Sequence, residues 1–356
     1  MKKVLFITYG GTHYKILNLL NDNFDMNVLM HSKFKEDWVK NHEYLEKKNI
    51  EYFDSIWKLF VNSWRNESDL VLAHCPLSGA ISYFTILFSK KKRVFLMCQD
   101  FYEYFDVTES KWYRRVFLGR LIKWFIKLGC KSDLVIALST HIRKRAIHYG
   151  AKRVKIIPIY GVDMDIFFPK KSKIKFDTDK KILLSTARFS GEKGLDNLIE
   201  AVRDLDLYLV MVGMGDSKFV EDLVKKYGME DKVNVVGGVN PVDIADYYNA
   251  CDIFVLPSLK EGLGFASAEA MACKKAVVAS ETGGIPDIVI HNKTGLLVKP
   301  GDVEELRNAL KRVLEDEVLS KRLADEGFKH VEENFQEKEI RKDFVKTLNE
   351  VTFYVI

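Results

Sequence analysis

Cysteine is scarce in this 356-residue chain and shows no pairing pattern: Cys75, Cys98, Cys130, Cys251 and Cys273 are odd in number, scattered and nowhere spaced as Cys-x-x-Cys. Such usage speaks against a disulfide framework or a zinc site and points to reduced, mostly buried thiols in a cytoplasmic protein. Long apolar runs are missing too. The nearest approach is Leu70 to Ser89, 20 residues without Asp, Glu, Lys or Arg, roughly the length that crosses a bilayer. His74, Pro76, Gly79 and several serines interrupt it, so it reads as a strand, a loop and a helix, and no transmembrane segment is expected. Met1 to Gly11 holds two lysines and an apolar run too short for a signal peptide, and reads as a first strand. A composition 47% hydrophobic and 29% charged speaks against disorder. The length suits two domains, each able to bury its own core.

One stretch lacks acidic residues altogether. Lys111 to Lys131, KWYRRVFLGRLIKWFIKLGCK, combines seven lysines and arginines with five aromatic residues. On a helix from Val116, the residues Phe117, Leu118, Leu121, Trp124, Phe125 and Leu128 share one face, with Arg120, Lys123, Lys127 and Lys131 on an adjoining one. Two readings stand: an interfacial helix on anionic lipid, seating the protein at the inner face of the cell membrane, and a helix packed on a sheet with its charges solvated. Lys90 to Arg93 adds a second basic cluster. The formal charge of +5 conceals an asymmetry, with 27 basic against 17 acidic residues in 1–169 and 24 against 29 in 170–335. A basic first half attracts an anionic acceptor or membrane surface. Nucleic acid would impose the same bias, but no nucleic-acid module is present and no such partner is expected.

From the start, apolar strands alternate with helices in the manner of a parallel sheet with crossovers. Strands are expected at Val4–Thr8, Met26–Met30, Leu70–His74, Arg93–Cys98, Leu134–Ala137 and Val154–Ile157. In such a doubly wound sheet the ligand lies beyond the carboxyl ends of the strands. That singles out the loops at Tyr9–His13, His74–Ser78, Gln99–Tyr102 and Ser139–His141. Gly10 and Gly11 bring backbone amides near a phosphate, let another domain approach, or simply make a tight turn. His74 ends a strand, where a structural role is as ordinary as a functional one.

Lys170 to Lys181, polar and lysine-rich, reads as a linker. The second domain opens with a strand, Ile182–Ala187, followed by Arg188-Phe189-Ser190-Gly191-Glu192-Lys193-Gly194 and a helix. Two fixed cations beside free amides suit a diphosphate leaving group, on whose oxygen charge accumulates as a bond breaks. The run ending Gly213-Met214-Gly215 fails as a dinucleotide fingerprint because Lys218 stands where a third glycine belongs. The strand CDIFVLP then delivers the loop Glu261-Gly262-Leu263-Gly264-Phe265 and a helix from Ala266 to Cys273. A helix N-terminus with unpaired amides can hold an anion. Glu261 and Glu269, eight residues apart and about two helical turns, accept hydrogen bonds from hydroxyls such as those of a sugar or a ribose. Taken singly, each is an ordinary surface glutamate.

The segment PSLKEGLGFASAEAMACKKAVVASETGGIPDIVIHNKTGLLV closely resembles the donor-binding segment of retaining glycosyltransferase family 4. ARFSGEKG, DLVLAHCPLSG, VNVVGG and the passage IIPIYGVD extend the resemblance over most of the chain. It implies the α/β GT-B fold, two Rossmann-like doubly wound domains facing across a cleft: 1–169 on the acceptor side, with the 336–356 tail crossing back to it, and 170–335 binding donor nucleotide. It implies transfer of a sugar from a nucleotide-diphosphate sugar to the hydroxyl of a glycan or lipid-linked acceptor. Arg188 and Lys193 then bind the diphosphate, with amides of Gly10 and Gly11. Glu261 and the Gly262, Leu263, Gly264 and Phe265 backbone hold the donor sugar, Glu269 the ribose, and His74 the sugar at the reaction centre.

One departure lies in the hinge passage, where Ile159-Tyr160 stands in place of the family's asparagine. There is no DxD motif placed like a metal-binding loop, since Asp163-Met164-Asp165 falls in that passage and reads as a turn. No metal and no cofactor are expected. Two rivals remain: a GT-B sugar-nucleotide epimerase, and a non-catalytic nucleotide-sugar-binding protein.

Overall fold

The computed structural model describes residues 2–8, 23–31, 49–86, 91–98, 112–240 and 242–353. Gly10 and Gly11, the Tyr9–His13 and Gln99–Tyr102 loops, and Lys90 lie outside them.

The chain divides into two units, Met1–Tyr160 with Glu339–Ile356, and Gly161–Lys338. The passage from Gly161, expected on the first-domain side, counts with the second. The reason is local pairing: the Val162 amide donates to Phe335 O, the Glu337 amide to Val162 O, and the Lys170 amide to Asn249 Oδ1.

The first unit holds strands Lys3–Thr8 (β1), Asp25–His31 (β2), Asn49–Phe53 (β3), Leu70–His74 (β4), Lys92–Met97 (β5), Leu134–Ala137 (β6) and Val154–Ile156 (β7). They form one parallel sheet in the order β3-β2-β1-β4-β5-β6-β7. Helices Ile56–Arg65 (α1), Pro76–Ile86 (α2), Trp112–Cys130 (α3) and Thr140–His148 (α4) are the described connections. Apart from Lys3 and Lys92 at their starts, β1, β4 and β5 are buried along their length, with the apolar runs Val4–Ile7, Leu70–Ala73 and Val94–Met97 at their centres, the signature of strands covered on both faces. β3 is absent from the expected strands: NIEYF is short and half polar, as an edge strand can be. The strand order reverses between β1 and β4, which run in register with Thr8 beside His74. His74 thus ends a strand at the switch point of its own sheet.

Helix α3 begins at Trp112, four residues earlier than expected, and buries only part of the predicted apolar face. Ile126, Leu128 and Cys130 are buried, whereas Phe117 and Trp124 are 73% and 47% exposed, and Val116 and Leu121 are exposed with them. Close approach rotates the helix: a Cβ on Gly79 of α2 would stand 2.9 Å from the Gly129 Cα of α3. The predicted apolar face is therefore split between the core and the surface.

The second unit holds Lys181–Thr186 (β8), Leu207–Val212 (β9), Val233–Val236 (β10), Ile253–Leu256 (β11), Ala276–Ser280 (β12) and Leu296–Val298 (β13), all parallel, in the order β10-β9-β8-β11-β12-β13. Helices Leu195–Val202 (α5), Ser217–Lys226 (α6), Ile244–Ala250 (α7), Phe265–Ala272 (α8), Ile285–Ile288 (α9), Val303–Glu315 (α10) and Glu317–Asn334 (α11) connect and follow them. α10 shows how sequence sets an element: Asp302 caps it by accepting from the Glu305 amide at 2.9 Å, acidic residues fill its first turn and Arg312 its last. Leu306, Leu310 and Val313, spaced on one face, are buried against a core of Leu183, Leu209 and Val255. A last helix, Glu337–Phe353 (α12), starts at the boundary; its portion from Glu339 counts with the first unit. There its Asp343 and Thr347 meet Lys155 Nζ at 2.6 and 2.7 Å. Among the described residues no helix is long and apolar enough to cross a membrane.

Candidate functional site

β8 and β11 are hydrogen-bonded neighbours, with Ile253 opposite Leu183 and Phe254 opposite Leu184. They are also the strands between which the second sheet reverses its order. Their carboxyl-end loops, 187–194 and 257–264, therefore emerge side by side at a switch point, where open α/β sheets bind ligands.

The two loops are bonded to each other. The backbone carbonyl of Glu192 accepts from the Leu259 amide at 2.9 Å and the Lys260 amide at 3.3 Å. The Glu192 side chain is buried and accepts from Ser190 Oγ at 2.7 Å, so it is a strut of the loop. Gly194, at φ +65°, closes a single 3-10 turn over Gly191–Lys193 and leads into α5. A side chain there would strike the Pro257 carbonyl. A second contact comes from the turn after β12: Thr282 Oγ1 donates to Leu259 O at 3.1 Å, and Gly283, at φ +57°, lies so close that a Cβ would stand 2.7 Å from the Glu261 carbonyl carbon. Gly283 is thus packed against the loop carrying Glu261.

Lys193 and Glu261, 68 residues apart, form an ion pair, Nζ to Oε2 at 2.8 Å, with both side chains about four-fifths buried. Ser258 Oγ also donates to that oxygen, at 3.3 Å, and the Gly262 amide donates to Oε1 at 3.0 Å. The carboxylate is held by three donors and cannot turn freely. The Gly262 amide, expected to face a ligand, is thus engaged by its neighbour's carboxylate. Leu263 is buried, so only its backbone is placed to reach a ligand. Arg188, at the exit of β8, is exposed.

Helix α8 begins at Phe265, with Gly264 at its N-cap and no side chain capping it. Glu261 precedes the helix, so its spacing from Glu269 is not the two helical turns expected. Glu269 is positioned otherwise. The fully buried Tyr248 of α7 donates its hydroxyl to Glu269 Oε2 at 2.9 Å, and Thr186 Oγ1, at the end of β8, lies 2.8 Å from the same Tyr248 oxygen. Burial, with the Glu269 charge adding to it, pushes the Tyr248 pKa well above its ordinary value, so the phenol keeps its proton and remains a donor. Phe167 and Phe254 flank the ring at centroid distances of 5.9 and 5.5 Å.

The second unit therefore brings Arg188, Lys193, Glu261, Gly262 to Phe265 and Glu269 to one end of one sheet. His74 belongs to the first unit. It is buried, and is followed by Cys75 at φ +75°, an uncommon left-handed conformation that turns the chain sharply into α2. Asp163 and Asp165 form a turn, with the Asp165 amide donating to Asp163 Oδ1 at 3.0 Å and its carboxylate paired with Lys338 at 2.8 Å. Tyr160, in the place of the family asparagine, points its hydroxyl at Cys98 Sγ, 3.8 Å away.

Residues 167–330 match the family of glycosyl transferases group 1. Over 339 residues, 92% of this chain and 91% of its relative, the chain is 25% identical to the uncharacterized glycosyltransferase MJ1178 of Methanocaldococcus jannaschii. The second unit thus carries the match to the group 1 glycosyltransferases. Its fold agrees: sucrose-phosphate synthase from Thermosynechococcus elongatus superposes with a TM-score of 0.80 at 20% identity, covering 99% of both chains. Anabaena Alr3699/HepE, solved in complex with UDP and glucose, does so with a TM-score of 0.79 at 20% identity over 98% of this chain and 100% of that one. The chain thus has the two-domain α/β GT-B fold. Sequence reasoning missed Tyr248 and Thr186. The tyrosine stands in the run YYNACDIFVLP, immediately before the segment that carries the family resemblance, but nothing in its spacing ties it to a glutamate on the next helix.

Proposed function

We propose that this protein is a retaining glycosyltransferase that moves a sugar from a nucleoside diphosphate to the hydroxyl of a glycan or lipid-linked acceptor. The observation that carries the reading is the Lys193–Glu261 pair, which places a phosphate-type cation and a hydroxyl-type acceptor within one hydrogen bond at the switch point. In this reading Arg188 and Lys193 take the diphosphate, with amides of Gly10 and Gly11. Glu261 and the backbone from Gly262 to Phe265 take the sugar hydroxyls, Glu269 the ribose, and His74 orients the sugar. The likeness to Alr3699/HepE, which holds UDP and glucose, supports a UDP-sugar as the first donor to try.

The bond from the anomeric carbon to the diphosphate oxygen breaks as the bond to the acceptor oxygen forms on the same face. The acceptor proton passes to a phosphate oxygen. Fixed cations stabilise the charge that develops on the leaving group, so the reading assigns no role to a metal ion. The exposed row of Phe117, Leu121 and Trp124, beside Arg120 and Lys127, favours an acceptor presented at an anionic membrane surface.

A thermal-shift screen with UDP, GDP, ADP and their common sugars on wild type and Lys193→Ala tests the donor site. A ligand at about a hundred times its Kd adds roughly 2.7 kcal/mol of stability, and the substitution should remove that gain. NMR of the product should show the anomeric configuration of the donor retained. A new sugar nucleotide formed without acceptor would favour the epimerase instead, and donor binding without transfer or hydrolysis a non-catalytic binder.

A further inference from the structure

We infer that Tyr248 is a positioning residue for the nucleotide: with Thr186 behind it, it aims the Glu269 carboxylate at the ribose hydroxyls and so sets discrimination between ribose and deoxyribose. The inference rests on the proposed ribose role of Glu269 and goes beyond it.

The geometry is a relay. A phenol has one proton, and Tyr248 gives it to Glu269 Oε2 at 2.9 Å. Its oxygen is then the acceptor towards Thr186 Oγ1 at 2.8 Å, so the threonine hydroxyl donates to it. The order Thr186 to Tyr248 to Glu269 follows without any choice of tautomer. Each member is anchored independently. Thr186 is the last residue of β8, Tyr248 is wholly buried between Phe167 and Phe254, and Glu269 sits in the second turn of α8.

A carboxylate offers about four acceptor sites. A glutamate has three side-chain torsions, and a hydrogen bond from a buried, immobile ring fixes where the remaining sites point. The relay also explains why a hydroxyl is placed deep in an aromatic cluster where phenylalanine would pack as well. Thr186 immediately precedes Ala187 and Arg188, so the side chain that steadies the ribose glutamate and the one assigned to the diphosphate leave the same strand end. The register between the two ligand moieties is thereby built into β8.

The test measures Kd for UDP, GDP and ADP, each against its 2′-deoxy counterpart, on wild type, Glu269→Ala, Tyr248→Phe and Thr186→Val. For the nucleotide that binds, wild type should prefer the ribose form at least about tenfold, and Glu269→Ala should abolish the preference. Tyr248→Phe should reduce it about fivefold to tenfold while leaving the Kd of the deoxy form nearly unchanged, and Thr186→Val should reduce it about twofold to threefold. A merely structural tyrosine would weaken both forms equally, and that result overturns the inference. If Glu269→Ala abolishes the preference while Tyr248→Phe and Thr186→Val keep or increase it, the relay fails and the ribose reading survives. If wild type shows no preference, or binds none of the three nucleotides, both fall. Should Tyr248→Phe fail to fold, Thr186→Val decides: a reduced ratio supports the relay and an unchanged one overturns it.

Discussion

Replacing Gly283 by alanine separates a conformational cost from a collision, because Gly228 provides a control at nearly the same dihedral angle. Gly228 follows α6 at φ +63°, and a methyl group placed on its Cα would meet nothing within 4 Å. Gly228→Ala should therefore cost only the left-handed backbone term, about 1–2 kcal/mol. Gly283 has φ +57°, but its Cβ would overlap the Glu261 carbonyl and lie 3.4 Å from the Glu261 Cα. The turn cannot drift away, since the Thr282 amide donates to Ser280 O at 2.9 Å and the Ile285 amide to Thr282 O at 3.1 Å. Overpacking of this kind adds about 1–3 kcal/mol, so Gly283→Ala should cost about 2–5 kcal/mol in all. The same displacement moves the Glu261 loop, and a misplacement near 1 Å costs on the order of a hundredfold in rate. Urea unfolding gives the two stabilities, and donor hydrolysis or transfer gives kcat/KM. Equal unfolding midpoints for the two variants, with the activity of Gly283→Ala intact, would refute the reasoning.

Three further outcomes are expected. Cys251 and Cys273 are buried, and burial pushes both thiols up to about 12. An unfolded thiol loses its proton near 9, so below that pH neither state gains, and between 9 and 12 the unfolded state binds fewer protons. Stability should fall as pH rises through that window, by about 1.4 kcal/mol per thiol at pH 10, and the urea midpoint of the double alanine variant should fall less steeply. Trp124→Ser together with Phe117→Ser should abolish sedimentation with anionic vesicles at low salt while leaving donor-induced stabilisation unchanged; persistent sedimentation would remove the membrane contact from the proposal. EDTA should leave transfer undiminished, and loss of turnover restored by a divalent cation would show that Arg188 and Lys193 do not carry the diphosphate charge alone.

The alternation of strands and helices was legible because parallel strands covered on both faces carry unbroken apolar runs, as β1, β4 and β11 do, and because glycine-spaced loops mark where they end. β3 escaped because NIEYF, at a sheet edge, lacks such a run. The chemistry of the site was legible as residue types: cations beside one glycine loop, carboxylates beside another. Their partnerships were not. That Lys193 pairs with Glu261 across 68 positions, that Gly283 packs on the Glu261 carbonyl, and that Tyr248 reaches from α7 to Glu269 all depend on which strands are neighbours, and strand order is not written in local periodicity. The face of α3 was misjudged in part for a related reason. A helical wheel ranks faces by their own polarity, whereas the face that is buried was chosen by the close approach of Gly79 and Gly129, a property of two helices together. Sequence thus determined the elements and the chemical inventory, since these follow from local propensity and pattern. Only the tertiary structure decided which groups meet, because contact between distant residues is set by sheet order and packing.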